Sequence, residues 1–165
     1  LVDLYFKWTA NKINPIKRRI KMKRLFLLLL IPFIVSVSCQ AQTEEPVSIK
    51  EKIEKAIESA NKWISMVDSG NYGQSWETSS ELFKNAVTKE DWIKTLEGLR
   101  PSFGVVISRE FDSEKYETSL PGAPDGEYVV IVYKTQFKKK EKAYETITPM
   151  KDNDGEWRVS GYFIK

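Results

Sequence analysis

At Pro101 the spacing of apolar side chains changes. Before it they recur every three or four residues, and after it every second residue. A first half that buries only helical stripes and a second half that buries only strand faces leave few ways to close a core. The simplest packs the helices on one face of a sheet of consecutive antiparallel strands.

The helical half opens at Ser48-Ile49-Lys50-Glu51, a capping box in which the serine oxygen accepts an orphan amide and the glutamate reaches back. Ile49, Ile53, Ala56, Ile57, Ala60, Trp63, Ile64 and Val67 then follow at helical spacing, with Glu51/Lys55 and Glu58/Lys62 paired on the outer face and Gly70 as the stop. Residues 71–87 carry Tyr72, Trp76, Leu82, Phe83 and Val87, spaced for one or two short helices interrupted at Thr78–Ser80. Thr88-Lys89-Glu90-Asp91 repeats the capping logic, and Trp92, Ile93, Leu96 and Leu99 form a third stripe expected to stop at Arg100-Pro101.

In the second half, Val105, Ile107 and Phe111 alternate with Ser108 and Glu110, marking the apolar face of a first strand that continues to Tyr116. A turn follows at Pro121–Gly126. The run 127–137, rich in β-branched and aromatic residues, reads as the central strand, covered on both faces. Lys138, Lys139, Lys140, Glu141 and Lys142 form a charged hairpin tip, residues 143–150 a third strand, Asp152–Gly155 a tight turn, and residues 156–164 the last strand. The expected fold is α+β: about three N-terminal helices on a curved antiparallel sheet of about four strands. That layout resembles the cystatin-like cone folds related to nuclear transport factor 2.

Residues 1–38 form a leader. Its apolar run, Leu25 to Val37, is preceded by Lys21, Lys23 and Arg24, contains Pro32, and is shorter than the roughly 20 residues a spanning helix requires, which is the pattern of a secretory signal. Met22 is a suitable start for that signal, so residues 1–21 are a candidate upstream extension. Val35-Ser36-Val37-Ser38-Cys39 resembles a bacterial lipobox, which implies lipidation of Cys39 and a membrane anchor. Ordinary cleavage after Ala41 is the alternative. Residues 39–46 read as a tether and residues 47–165 as one domain. Of 26 basic and 23 acidic residues, eight and one precede Cys39, so the remaining 18 and 22 give the domain side a net charge of −4. A nucleic-acid partner, which needs a clustered positive footprint, is not expected.

Four phrases carry a more specific resemblance: Asp68-Ser69-Gly70-Asn71-Tyr72 with Ser75-Trp76; Arg100-Pro101-Ser102-Phe103-Gly104 with Ser108-Arg109; Pro124-Asp125-Gly126-Glu127-Tyr128; and the closing Gly155-Glu156-Trp157-Arg158-Val159-Ser160-Gly161-Tyr162. Together they resemble the bacterial family catalogued as domain of unknown function 4019, over roughly Ile57 to Lys165. Membership implies a secreted or envelope protein and brings no catalytic residue with it.

The chain has no histidine and one cysteine. Histidine-ligated metals, imidazole bases, Ser-His-Asp and Cys-His triads, internal disulfides and thiolate cages are therefore excluded. The Asp152–Gly155 segment lacks the spacing of a calcium loop. No metal and no cofactor are expected. Trp63, Trp76, Trp92, Tyr133, Trp157 and Tyr162 are read first as core, with a ligand pocket as the alternative. Arg109 and Glu145 are charged where their strands otherwise carry apolar residues, so they are expected to meet, either as a structural ion pair or in a pocket. The candidate pocket set is Trp76, Arg109, Tyr133, Glu145 and Tyr162, in which Arg109 and Tyr133 would hold an anionic ligand. The lysine tip reads as a solvated, edge-protecting turn, with contact to lipid headgroups as the alternative.

These features suggest an exported, lipid-anchored envelope protein that binds a small ligand or another envelope protein. The rivals are a histidine-free isomerase or hydratase using Glu145 with Tyr133, and a structural module that docks through an exposed sheet face.

Overall fold

A computed structural model describes residues 48–165; the leader, Cys39 and the tether lie outside the described residues. Four helices precede four strands: α1 (Ile49–Asp68), α2 (Tyr72–Glu77), α3 (Glu81–Ala86), α4 (Lys89–Phe103), β1 (Val106–Glu117), β2 (Tyr128–Phe137), β3 (Lys140–Lys151) and β4 (Trp157–Ile164). The strands make one antiparallel meander in the order β1-β2-β3-β4. The fold is α+β as expected, with one more helix because residues 71–87 form two short helices flanking Thr78–Ser80. No helix among the described residues is long and apolar enough to cross a membrane.

Side-chain oxygens start three of the helices. Ser48, Ser80 and Thr88 accept the amides of Glu51, Phe83 and Asp91 at 3.2, 3.2 and 3.1 Å, relieving donors that no helical carbonyl can reach. Only half of the anticipated first capping box forms, since the Glu51 carboxylate lies on Lys55 at 2.9 Å. α1 buries Ala56, Ala60, Trp63, Ile64 and Val67 and touches all four strands. The serines at the α2–α3 break are buried rather than solvated. The Ser80 amide donates to Val159 O at 3.0 Å, so this break caps part of the exposed edge of β4.

Three expectations are corrected. First, α4 does not stop at Arg100-Pro101 but runs through Pro101 to Phe103. Proline removes one donor, but the carbonyl a turn earlier belongs to exposed Glu97, where water can replace it. Phe103 meanwhile buries itself against Phe137 and Ala143. Second, Val105, Ile107 and Phe111 are 65%, 59% and 51% exposed. Register shifts at Ile107 and Asp112 each insert one residue into β1, and every insertion moves the following side chains to the other face. The inward face therefore carries Val106, Arg109, Phe111 and Tyr116 opposite Phe137, Thr135, Tyr133 and Val129; Phe111 stays half-exposed on the edge strand, its ring edge-on to Tyr133 at 6.3 Å. Third, β2 is not covered along both faces: after buried Tyr128 its outer residues are half-buried at Val130 and Val132 and exposed at Lys134 and Gln136.

A further shift lies in β4, where Thr148 pairs with Gly161 and Pro149 with Val159, leaving Ser160 unpartnered. Strict alternation from Trp157 and Val159 would send Tyr162 outward. The bulge instead turns it inward beside Ile147, and its ring joins Trp63 at 5.5 Å and Trp92 at 6.4 Å.

Gly104 ends α4 at φ 76° and ψ −165°, a region essentially reserved for glycine, and an added Cβ would lie 3.3 Å from Lys139 Cγ and 3.4 Å from Lys138 Cβ. Gly104→Ala is expected to lower the unfolding free energy in urea by about 1–3 kcal/mol. Gly98→Ala, inside α4 with open space around it, is expected to raise it by roughly 0.5–1 kcal/mol.

Candidate functional site

One side chain from each strand and one from each long helix converge at the α1 C-terminus. Glu145 of β3 is fully buried, and a carboxylate taken from water must recover its hydrogen bonds within the protein. Its Oε2 accepts Arg109 Nε of β1 at 2.8 Å and Thr135 Oγ1 of β2 at 2.5 Å. Its Oε1 accepts the Tyr162 hydroxyl of β4 at 2.5 Å and has Arg100 Nη1 of α4 at 3.7 Å. Asp68, in the last turn of α1, closes the other side. It receives two bonds from Arg109 at 2.7 and 3.1 Å and one from Arg100 Nη2 at 2.6 Å. Arg100 also lies 5.2 Å from the centre of the Phe137 ring. The result is a clasp of two carboxylates and two guanidiniums with no net charge. Among the described residues no buried side-chain polar atom is left without a partner.

Two groups of the clasp, Arg109 and Tyr162, have their proton affinity raised by these surroundings. Burial disfavours the Arg109 cation, but its bonds to Asp68 and Glu145 outweigh that and keep it above the ordinary arginine range. Burial first, and the Glu145 charge second, push the Tyr162 hydroxyl well above the usual phenol range. Glu145 has no lone pair turned to solvent with which to take a substrate proton, so the geometry is that of a fastener.

The sequence-derived candidates are thereby distributed. Arg109, Glu145 and Tyr162 meet in the clasp. Tyr133 faces Glu145 across the β2–β3 pairing, but its hydroxyl donates to Asn61 Oδ1 at 2.8 Å, and burial raises its pKa. Trp76 stands apart, donating from Nε1 to Val87 O at 2.8 Å and tying α2 to the α3–α4 connection. Trp63, Trp92 and Trp157 are in the core: Trp63 donates to Ser75 O and Ser79 Oγ at 2.7 and 2.9 Å, and Trp92 to Ser75 Oγ at 3.0 Å. Cys39 lies outside the described residues.

Asp68 and Arg100 were missed by the sequence reading. Arg100 did carry a signal, because it falls four residues after Leu96 and eight after Trp92 on the buried stripe of α4, the same anomaly that singled out Arg109.

Next to the clasp lies a pocket of about 460 Å³ between α3, α4, the β1–β2 loop and the bulged part of β4. Phe83, Val87, Trp92, Leu120 and Tyr128 supply apolar wall, Thr95, Thr148 and Ser160 supply hydroxyls, and no charged side chain lines it. Tyr162 is common to both features: its ring borders the pocket and its hydroxyl binds Glu145. A second cleft of about 510 Å³, between α1 and the start of β4, is lined by Lys55, Lys62, Glu58, Glu156 and Arg158 beside Trp157. Each of its cations is ion-paired.

The profile of a family described as a protein of unknown function, DUF4019, matches residues 59–162. The chain belongs to the DUF4019 family. A search of curated proteins returns no match. The DUF4019 segment contains all six clasp residues and reaches Tyr162, its last matched position.

Arg109→Ala leaves Glu145 buried with one strong partner fewer, and is expected to cost about 3–5 kcal/mol in chemical denaturation; a loss below 1 kcal/mol would contradict the clasp. The Tyr162 phenol is raised in the folded state. Its contribution to stability is therefore complete below pH 10 and declines at higher pH, as the unfolded chain releases this proton first. Tyr162→Phe is expected to flatten the fall in stability above pH 10 by one proton equivalent.

Proposed function

We propose that this DUF4019 protein is an exported, lipid-anchored envelope protein whose domain binds a small, uncharged, largely apolar ligand in the pocket bordered by Tyr162. The observation that carries the binding reading is the lining of that pocket, which offers apolar wall and a few hydroxyls and no charged group. Such a site desolvates an apolar body well and a charged one at great cost. Its volume suits a ligand of moderate size. The Gly161 position, where a side chain is absent beside Thr148, keeps the sheet side of the pocket open.

Arg109 is held by Asp68 and Glu145, which argues against the anionic ligand considered from sequence. The isomerase or hydratase alternative required a free carboxylate close to a tyrosine hydroxyl. The closest such pair, Glu145 and Tyr162, has its carboxylate saturated by the clasp, and binding without chemistry is the better-supported reading. Export and anchoring rest on the signal-like run and on Cys39.

Two measurements on the full chain test the parts separately. A neutral apolar fluorophore such as N-phenyl-1-naphthylamine is expected to bind saturably and quench tryptophan emission. Ala86→Phe, which fills the pocket wall, should weaken it by about tenfold, equivalent to about 1.4 kcal/mol, with an unchanged melting temperature. Equal binding of an anionic analogue, or indifference to Ala86→Phe, would overturn the ligand assignment. Mass spectrometry of protein taken from the membrane fraction is expected to find an acylated chain beginning at Cys39; a free chain beginning at Gln42 would overturn the anchor.

A further inference from the structure

Unpaired positive charge is gathered at one end of the domain. Among the described residues every lysine and arginine lies in an ion pair except Lys94, Lys138, Lys139, Lys140, Lys142 and Lys165. The last five sit together. Lys138 and Lys139 form the turn joining β2 to β3, Lys140 and Lys142 open β3, and Lys165 exchanges two backbone bonds with Tyr144 at 2.9 and 3.1 Å. Glu141 is the one acid within the tip. The tip is solvated as expected, with Lys138, Lys139 and Lys142 exposed, but β2 and β3 are the two inner strands, so it protects no sheet edge.

The tip is also held in place. The Lys138 and Lys139 amides donate to Val105 O and Phe103 O at 2.8 and 2.9 Å. Lys139 Nζ reaches Pro101 O at 2.8 Å, Lys140 Nζ stands 5.1 Å over the Phe103 ring, and Gly104 leaves room for both neighbouring lysine stems. Lys138 and Lys142 are exposed and have no polar side-chain partner among the described residues. Beside them the α4–β1 junction exposes Val105 and Ile107 by 65% and 59%, Ile107 being the residue inserted at the first β1 bulge.

We propose that the β2–β3 tip, with Val105 and Ile107, is a contact surface for an anionic lipid bilayer. Exposed ammonium groups on a turn whose backbone is held, beside two exposed aliphatic side chains, fit the chemistry of that interface. Each lysine gains about 1 kcal/mol near a negatively charged leaflet, and the aliphatic groups gain by entering the headgroup–acyl boundary. The inference concerns a surface distinct from the Tyr162 pocket and does not depend on Cys39 being lipidated.

The test uses the full chain reconstituted in vesicles of phosphatidylcholine alone or with about one-third phosphatidylglycerol. Lysines are acetylated with an amine-reactive reagent and read by mass spectrometry against Lys62, an exposed lysine of α1. In anionic vesicles the labelling of Lys138 and Lys142 is expected to drop about fivefold, to recover at high salt, and to drop less in Ile107→Ser. In Lys138→Glu/Lys142→Glu, which alters only exposed positions, Lys139 should label equally in both vesicle types. Equal labelling of the native chain in the two vesicle types, or an equal drop in neutral vesicles, would overturn the proposal. So would protection by soluble polyglutamate without protection by vesicles, which would make the surface a site for an acidic protein.

Discussion

A carboxylate with no access to water is tolerable only where cations and hydroxyls are brought to it from several directions. Glu145 sets that requirement, and the fold meets it with one group from each neighbouring layer: Arg109 on β1, Thr135 on β2, Tyr162 on β4 and Arg100 on α4, with Asp68 of α1 completing the charge balance. The positions of the long helices over the sheet are therefore tied to one side chain. A purely apolar interface of this size would tolerate sliding by fractions of a turn, whereas directional bonds at 2.5–2.8 Å around Glu145 do not.

Tyr162 extends that constraint to the pocket. Its hydroxyl is committed to Glu145 while its ring packs with Trp63 and Trp92 and borders the cavity, so the wall a ligand would touch is braced by the clasp behind it. This placement depends on the single extra residue at Ser160. One inserted residue in the last strand thus decides whether the pocket has an aromatic floor or a gap.

Much of the architecture was legible from local chemistry. The switch of period near Pro101, the serine and threonine caps and the turn residues lie within a few positions of the elements they define. Arg109 and Glu145 stood out because a charge on an inward-facing position requires a partner. What escaped the sequence depended on distant partners. The β1 bulges depend on how β2 is paired, so Val105 and Ile107 looked like core until the register was known. The Tyr133 hydroxyl went to Asn61 instead of Glu145 because α1 crosses above it, and the role fell to Tyr162. α4 passed through Pro101 because Phe103 had a hydrophobic cluster to join. The pocket draws its walls from α3, α4, a loop and β4, far apart in the chain, and no local motif announces it.

The central claim is that Glu145 and the arginines act as one coupled unit. A double-mutant cycle measures this most directly, comparing the unfolding free energies of the native chain, Arg109→Met, Glu145→Leu and the double variant in which both charges leave together. The account predicts that the double variant is more stable than the sum of the single losses implies, by about 2–3 kcal/mol. Additivity to within about 0.5 kcal/mol would contradict it, and would mean that the helices are held on the sheet by apolar contact alone.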